Sequence, residues 1–305
     1  MSISSRPPSF ETLPAEVVVE VIANVEFTPS TFRDLHIVHK RLTEVLWNYQ
    51  QSITKSITLS QFPNVLVDFP TATSRSYCWL SKCSRRYDVI EDITSILLSY
   101  DNTYRVSKHN ASLVSAGFLL LYRLQDLPEY SSKVNLLKAL PIDSLISIFL
   151  ALFYCKSSAR DYGVGMINKN YYHDIREIRS DIELVFTELG MVHGPQFLRD
   201  SLHGAARADS ILLQAWHLKE LGELPDDEGL SIAQGTLENL HEPYRRTISS
   251  HLREICAERM GCKQGDVLLR MLEMIEVPNH RLAWLCRTDR TKLVLGLPLD
   301  DKVRS

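Results

Sequence analysis

Beyond residue 88 the apolar residues of this chain recur three and four places apart, and no run of alternating apolar and polar residues competes with them. A helix turns about 100° per residue, so this spacing gathers apolar side chains on one stripe, whereas a half-buried strand needs period two. The clearest stripe runs from Asp174 to Gly190. There Ile175, Ile178, Ile182, Val185, Phe186 and Leu189 share a face, and Gly190 stands where a left-handed stop belongs. Further helices are expected over 89–99, 110–125, 142–155, 207–221, 243–260 and 266–276, closed by Gly222, by Gly261 and by the Val277-Pro278 step, with Asp266 as an N-cap. The fold class that follows is all-α, with roughly eight to eleven irregularly arrayed helices packed ridge into groove.

At 305 residues, 45% hydrophobic and 23% charged, the chain is long enough for about two globular domains. A net charge of −3 without a Lys/Arg-rich stripe argues against nucleic acid as a partner, since Ser84-Arg85-Arg86 is too short to attract a phosphate backbone. The longest apolar run, Leu145 to Cys155, is broken by Ser147, preceded by Asp143, and short of the roughly 20 residues a bilayer needs, so a buried core helix is expected and no membrane partner. Met1 to Ser9 is Ser/Pro-rich with one Arg and no apolar core. It is expected to be a disordered arm, not a secretory signal, placing the chain inside the cell, in cytoplasm or nucleus. Cysteines 78, 83, 155, 256, 262 and 286 lack the dense spacing of a disulfide scaffold and are expected as reduced thiols. For the same reason Asn110-Ala111-Ser112 is expected to be a helix start with Asn110 as N-cap, not a glycosylation site.

The segment from residue 13 to residue 53 carries three shorter amphipathic patterns. Pro14 suits a helix start and Glu16 places negative charge in the first turn. Val17, Val18, Val21, Ile22 and Val25 then fall on one arc, opposite Glu16, Glu20 and Asn24, with Val19 off the stripe. The β-branched run Val17 to Val19 invites a strand, but alternation fails, which favours a helix. Pro29-Ser30 is expected to be a turn followed by an N-cap, and behind it Phe32, Leu35 and Val38 fall on one helical face. A third helix over Lys40 to Gln51 lines up Leu42, Leu46, Tyr49 and Ile53. Three helices of roughly ten residues cannot enclose much apolar surface by themselves, so something else must cover them.

Leu13-Pro14-Ala15-Glu16, the apolar Val17 to Val25, Leu35-His36-Ile37-Val38 and Lys40-Arg41-Leu42 together resemble an F-box. The resemblance implies a three-helix F-box over 10–55 that docks on a Skp-family adaptor, and through it on a cullin. The chain would then be the substrate receptor of an SCF-type cullin-RING ubiquitin ligase. The adaptor-binding residues it implies are Leu13, Pro14, Glu16, Val17, Val18, Val21, Ile22, Leu35, Val38 and Leu42. Residues 56–87, with Pro63, Pro70 and Ser/Thr around Val65-Leu66-Val67, are expected to be a loosely packed linker, with any strand confined to 56–76. Residues 88–305 would be a helical domain that binds an unknown client protein. They show no Leu-rich, Trp-Asp or kelch-like period.

Carriers of catalysis are not evident. The acidic stretch Gly222 to Gly229 lies between Gly and Pro residues and is expected to be a solvated loop, not a Mg²⁺ site. The spacings of Cys78 and Cys83, and of Cys256 and Cys262 with His241 and His251, fit no usual zinc set, so neither metal nor cofactor is expected. His241-Glu242 lacks the second histidine of a zinc protease, and no nucleophile elbow or phosphate-binding loop is present. Gly163-Val164-Gly165 is expected to be a turn, and Trp216 a core residue with His217 at its boundary. Two rivals to the ligase receptor stand beside it: an orphan helical interaction module, and a helical enzyme whose site is assembled from scattered residues.

Overall fold

The structure, a computed structural model, describes residues 13–70, 75–170, 176–221 and 246–300, with the side chains of 176–181 and 218–221 excepted. It is all-α: the described residues hold fifteen α-helices and no strand. The chain divides into two compact units, Met1–Asp88 and Val89–Ser305.

The first unit contains α1 (Ala15–Asn24), α2 (Pro29–Val38), α3 (Lys40–Asn48), α4 (Gln50–Gln61), the single turn α5 (Val65–Asp68) and the start of α6 (Tyr77–Leu98). Thr28, ahead of the Pro29-Ser30 pair, caps α2: its hydroxyl accepts the Thr31 N–H at 3.0 Å. Pro29 takes the first helical position, where its fixed φ and missing N–H cost nothing, so the cap precedes the Pro29-Ser30 pair instead of following it. The third helix expected to reach Gln51 ends at Asn48, because Tyr49 (φ −112°, ψ 20°) breaks it before α4 begins at Gln50.

Much of the expected linker over 56–87 is helical and packed. Ile53 and Ile57 of α4 are fully buried, and so are Thr54 and Thr58 beside them. The Thr58 hydroxyl donates to the Thr54 carbonyl at 2.6 Å, a bond that lets a threonine sit inside. Threonines at core positions are what obscure the helical period in the sequence. The resulting core joins Val18, Ile22, Phe27, Phe32, Leu42, Val45, Leu46, Ile53, Ile57 and Leu80. Gln61 closes the α1–α2 turn from α4: its Oε1 accepts the Phe27 N–H at 2.8 Å and its Nε2 donates to the Val25 carbonyl at 2.8 Å.

The second unit continues α6 and adds α7 (Ala111–Gln125), α8 (Tyr130–Ala139), α9 (Ile142–Asp161), α10 (Arg176–His193), α11 (Pro195–Leu202), α12 (Ala206–Leu221), α13 (Ile248–Met260), α14 (Val267–Glu276) and α15 (Arg287–Leu295). The most extensive packing is between α7 and α9. They approach closely at Gly117, where an added Cβ would meet the Ser147 carbonyl and lie 2.8 Å from the Ala151 Cβ. At 20 residues α9 is long and apolar enough to cross a membrane, so its length does not exclude that role. Its apolar window is 72% buried, as a core helix requires.

Several helix ends differ from the sequence pattern. Gly190 lies inside α10, which runs on to His193 and ends before Gly194, whose extended positive-φ backbone (φ +73°, ψ −165°) suits glycine. Gly190 has a packing role instead, since a Cβ there would come within 2.7 Å of Leu152 Cδ2 and 2.9 Å of Leu198 Cδ2. Asp266 is at the N-cap of α14 but makes no side-chain cap bond. Asn110 also makes none: it is buried and donates to the Ile275 carbonyl at 3.1 Å, which leaves its amide nitrogen closed to glycosylation. Gly261 ends α13 as expected, with φ +61° and Cys262 N–H on the Ala257 carbonyl at 3.0 Å. The start of α13 is held by the buried Glu188 carboxylate, which accepts the Ile248 and Ser249 N–H groups at 2.9 and 2.8 Å.

Two predictions follow from this packing. Gly117→Ala should destabilise the protein by about 2 kcal/mol in denaturant titrations, as overpacking against a backbone carbonyl does, while Gly265→Ala, with no atom within 4 Å of an added Cβ, should be neutral. The second concerns His193, whose pKa burial, then the charges of Lys133 and Arg207, lower from 6.5 to about 4. Because the unfolded chain takes up this proton first, the stability His193 contributes is complete above about pH 6.5 and is lost progressively as pH falls toward 4, by up to roughly 3 kcal/mol. Melts from pH 7 to 4.5 should show a shallower decline for His193→Gln than for the native chain.

Candidate protein-docking surface

The α1 helix divides its apolar arc. Val18 and Ile22 enter the core, whereas Val17 and Val21, one residue back around the helix, are 41% and 55% exposed. An arc containing both pairs is wider than the face that α4 covers, so one edge remains open. Val19, off the sequence-derived stripe, packs partly against the core. The Leu13 side chain is half-buried against that core and Pro14 and Glu16 are exposed. Leu35 is half-buried and Leu42 buried, so both serve internal packing. Val38, grouped by spacing with Phe32 and Leu35, is 71% exposed at the last turn of α2.

Of the ten residues the F-box resemblance implies, Val18, Ile22 and Leu42 are core, Leu13 and Leu35 sit at its edge, and Pro14, Glu16, Val17, Val21 and Val38 are open to solvent. Two further apolar side chains are more exposed than most of these: Ile37 at 76% and Trp47 at 69%. Periodicity could not find them, because apolar spacing singles out the inward face and they lie off it.

The α2–α3 corner is built with care. His39 alone separates the two helices (φ −155°, ψ 134°), and its Nδ1 accepts the Arg41 N–H at 3.2 Å, capping α3. The Arg41 guanidinium donates to the Leu13 carbonyl, tying the corner to the chain entering α1. The Thr43 hydroxyl donates to the His36 carbonyl at 2.7 Å. The His36 ring meets the edge of Trp47 at 6.1 Å and of Tyr77 at 6.3 Å. Tyr77 donates its phenol to the Leu46 carbonyl at 3.1 Å, and burial pushes its ionisation far up, so it stays a donor. Charge on this unit is dispersed: Glu16 and Glu20 are exposed on α1, and Lys40 lies 3.9 Å from Glu44 on α3. Such a surface offers apolar contact.

The other candidates from the sequence resolve simply. Among the described residues no group of three His, Cys, Asp or Glu side chains could hold a metal. Cys83 and Cys256 are buried, Cys262 half-buried and Cys78 exposed, all as free thiols. The acidic stretch 222–229 and His241 lie outside the described residues. Gly163 to Gly165 is a bend whose end is fastened by Asp209, which accepts the Met166 N–H at 3.0 Å. Trp216 is half-buried and His217 exposed, their rings 5.0 Å apart. A shallow recess lined by Thr94, Leu97, Leu98, Val106, Ala111 and Val114 is apolar and has no room for even a water-sized molecule, far below a usual substrate pocket. No family model matches the chain, and neither a curated protein nor a solved structure matches it.

Replacing Arg41 with Met should release the Leu13 carbonyl and loosen the entry to α1. Hydrogen exchange at the Val18 amide, which bonds to the Pro14 carbonyl at 3.3 Å, should rise about tenfold, and Arg41→Lys should recover part of the protection.

Proposed function

We propose that the chain is a substrate receptor of an SCF-type ubiquitin ligase, in which the first unit docks on a Skp-family adaptor and the helical second unit binds a client protein. One observation carries the reading: Val17, Val21, Ile37, Val38 and Trp47 stay exposed on α1, α2 and α3 although the unit has a complete core beneath them. These are the helices on which the F-box resemblance falls. Exposed apolar side chains on a small helical unit are normal anchors for helix-packing interfaces. The chain's own contribution is proximity and not bond making: a client held near a charged conjugating enzyme gains effective concentration for transfer.

The orphan-module reading draws on a different observation, that α4 and Leu80 of α6 cover the inner half of the α1 arc without any partner. Binding separates the two. The native chain should bind a purified Skp-family adaptor, and a cullin should co-elute with the pair. Ile37→Asp with Val38→Asp should weaken adaptor binding at least thirtyfold in calorimetry, about 2 kcal/mol, with the thermal melt unchanged because both side chains are exposed. Absence of adaptor binding by the native, folded chain rejects the ligase reading in favour of the orphan module.

A further inference from the structure

We propose that Trp284, turned outward beside a basic rim, anchors an acidic peptide segment of a partner protein on the second unit. Trp284 is the one residue other than glycine with positive φ among the described residues, at +51°. For a bulky side chain this backbone region is strained, and such strain persists only where the surroundings enforce it. Leu282, Ala283 and Leu285 on either side are buried, and the Trp284 N–H donates to the His109 carbonyl at 2.7 Å. His109 is itself fastened, since its ring Nε2 and the Asn110 amide both donate to the Ile275 carbonyl, at 3.0 and 3.1 Å. The indole nonetheless stays 58% exposed, with the His109 ring 6.0 Å away. Tryptophan is among the side chains that most often anchor protein interfaces, and one already fixed in place loses little freedom on binding.

Charge indicates the partner. The chain carries −3 overall, yet the two segments that meet at the bond between Trp284 and His109, 105–110 and 280–292, hold six Lys and Arg against one Asp. Arg281 pairs with Asp143 and Lys292 with Asp300, each at 2.8 Å. Arg105, Lys108, Arg287 and Arg290 then stand against Asp289 and against Glu276, which follows the Ile275 carbonyl: four cations and two carboxylates, a balance of plus two. Lys108 and Arg287 are exposed, the first adjoining His109 and the second three residues beyond Trp284. Arg287 opens α15, so the N–H groups of that helix end add to the positive potential. An acidic segment with an apolar residue to cover the indole answers both features. A nucleic acid would answer the charge, but the net −3 and the shortness of the basic stretches disfavour it. The inference goes beyond the adaptor reading and does not depend on it, because every group involved lies in the second unit.

The test selects a phage-displayed library of random linear peptides on the full chain and measures synthetic copies of the enriched sequences by calorimetry. Peptides rich in Asp and Glu around an apolar residue should emerge. Trp284→Gly should weaken them at least thirtyfold, and Lys108→Glu with Arg287→Glu about tenfold, the second effect fading at about 0.5 M salt. Glycine adopts positive φ without strain, and Arg287→Glu puts negative charge in the first turn of a helix, so neither variant should lower the thermal melt. If the Trp284→Gly melt does fall, the charge-reversed variant decides: a tenfold loss upholds the proposal and unchanged binding overturns it. No enriched peptide, enriched peptides without acidic bias, or native affinity in a folded Trp284→Gly chain also overturns it. A single-stranded oligonucleotide that displaces the peptides at equal concentration rejects the acidic peptide in favour of nucleic acid. None of these measurements uses the adaptor, so they stand whether or not the ligase reading does.

Discussion

Burial of Val18 and Ile22 in one core with Ile53 and Ile57 shapes the first unit more than any other contact. Each of these side chains, taken wholly out of water, contributes about 2 kcal/mol, an upper figure because an unfolded chain already buries some of that surface. This commits α1 to one rotation about its axis. Val17 and Val21 are then carried outward by helix geometry alone, since a residue one position away lies about 100° around the helix. The open apolar edge is thus a consequence of satisfying the core, and the proposed docking surface is built from what the core leaves over.

Directional bonds locate that surface. The α2–α3 connection is a single residue, and three side chains hold it: His39 caps α3, Arg41 reaches back to Leu13, and Thr43 bonds the His36 carbonyl. His39 and Thr43 satisfy backbone groups that the helix ends would otherwise leave unpaired, and Arg41 pairs the carbonyl of the chain entering α1. Because hydrogen bonds depend on distance and angle, the corner has a defined geometry even though it is solvent-facing, and Ile37, Val38 and Trp47 are presented from a fixed frame.

The second unit uses the same logic deeper in its interior. Glu188 caps α13 from α10, Ser144 of α9 donates to the Leu293 carbonyl at 2.8 Å, and buried Asp143 pairs with Arg281 at 2.8 Å. These polar groups join elements distant in sequence and leave few buried atoms without partners, as stable interiors require.

The all-α class, the position of most long helices and the burial of α9 and of Ile182, Val185, Phe186 and Leu189 on α10 were legible in the sequence, because apolar spacing directly records which side of a helix meets other protein. The left-handed end at Gly261 was legible for a similarly local reason, as few residues but glycine accept positive φ. Tertiary structure decided the rest. Gly190 serves packing inside α10 instead of ending it, since Leu152 and Leu198 occupy the space a Cβ would need, and only the tertiary fold brings them there. The helicity of 50–61 depended on burying threonines that read as polar, and the division of the α1 arc on how much of it α4 could cover. Ile37 and Trp47 emerged only when every other apolar residue nearby had found its place in the core. Periodicity specifies a face, but exposure is what remains after the neighbouring helices have packed, and that is a property of the assembled fold.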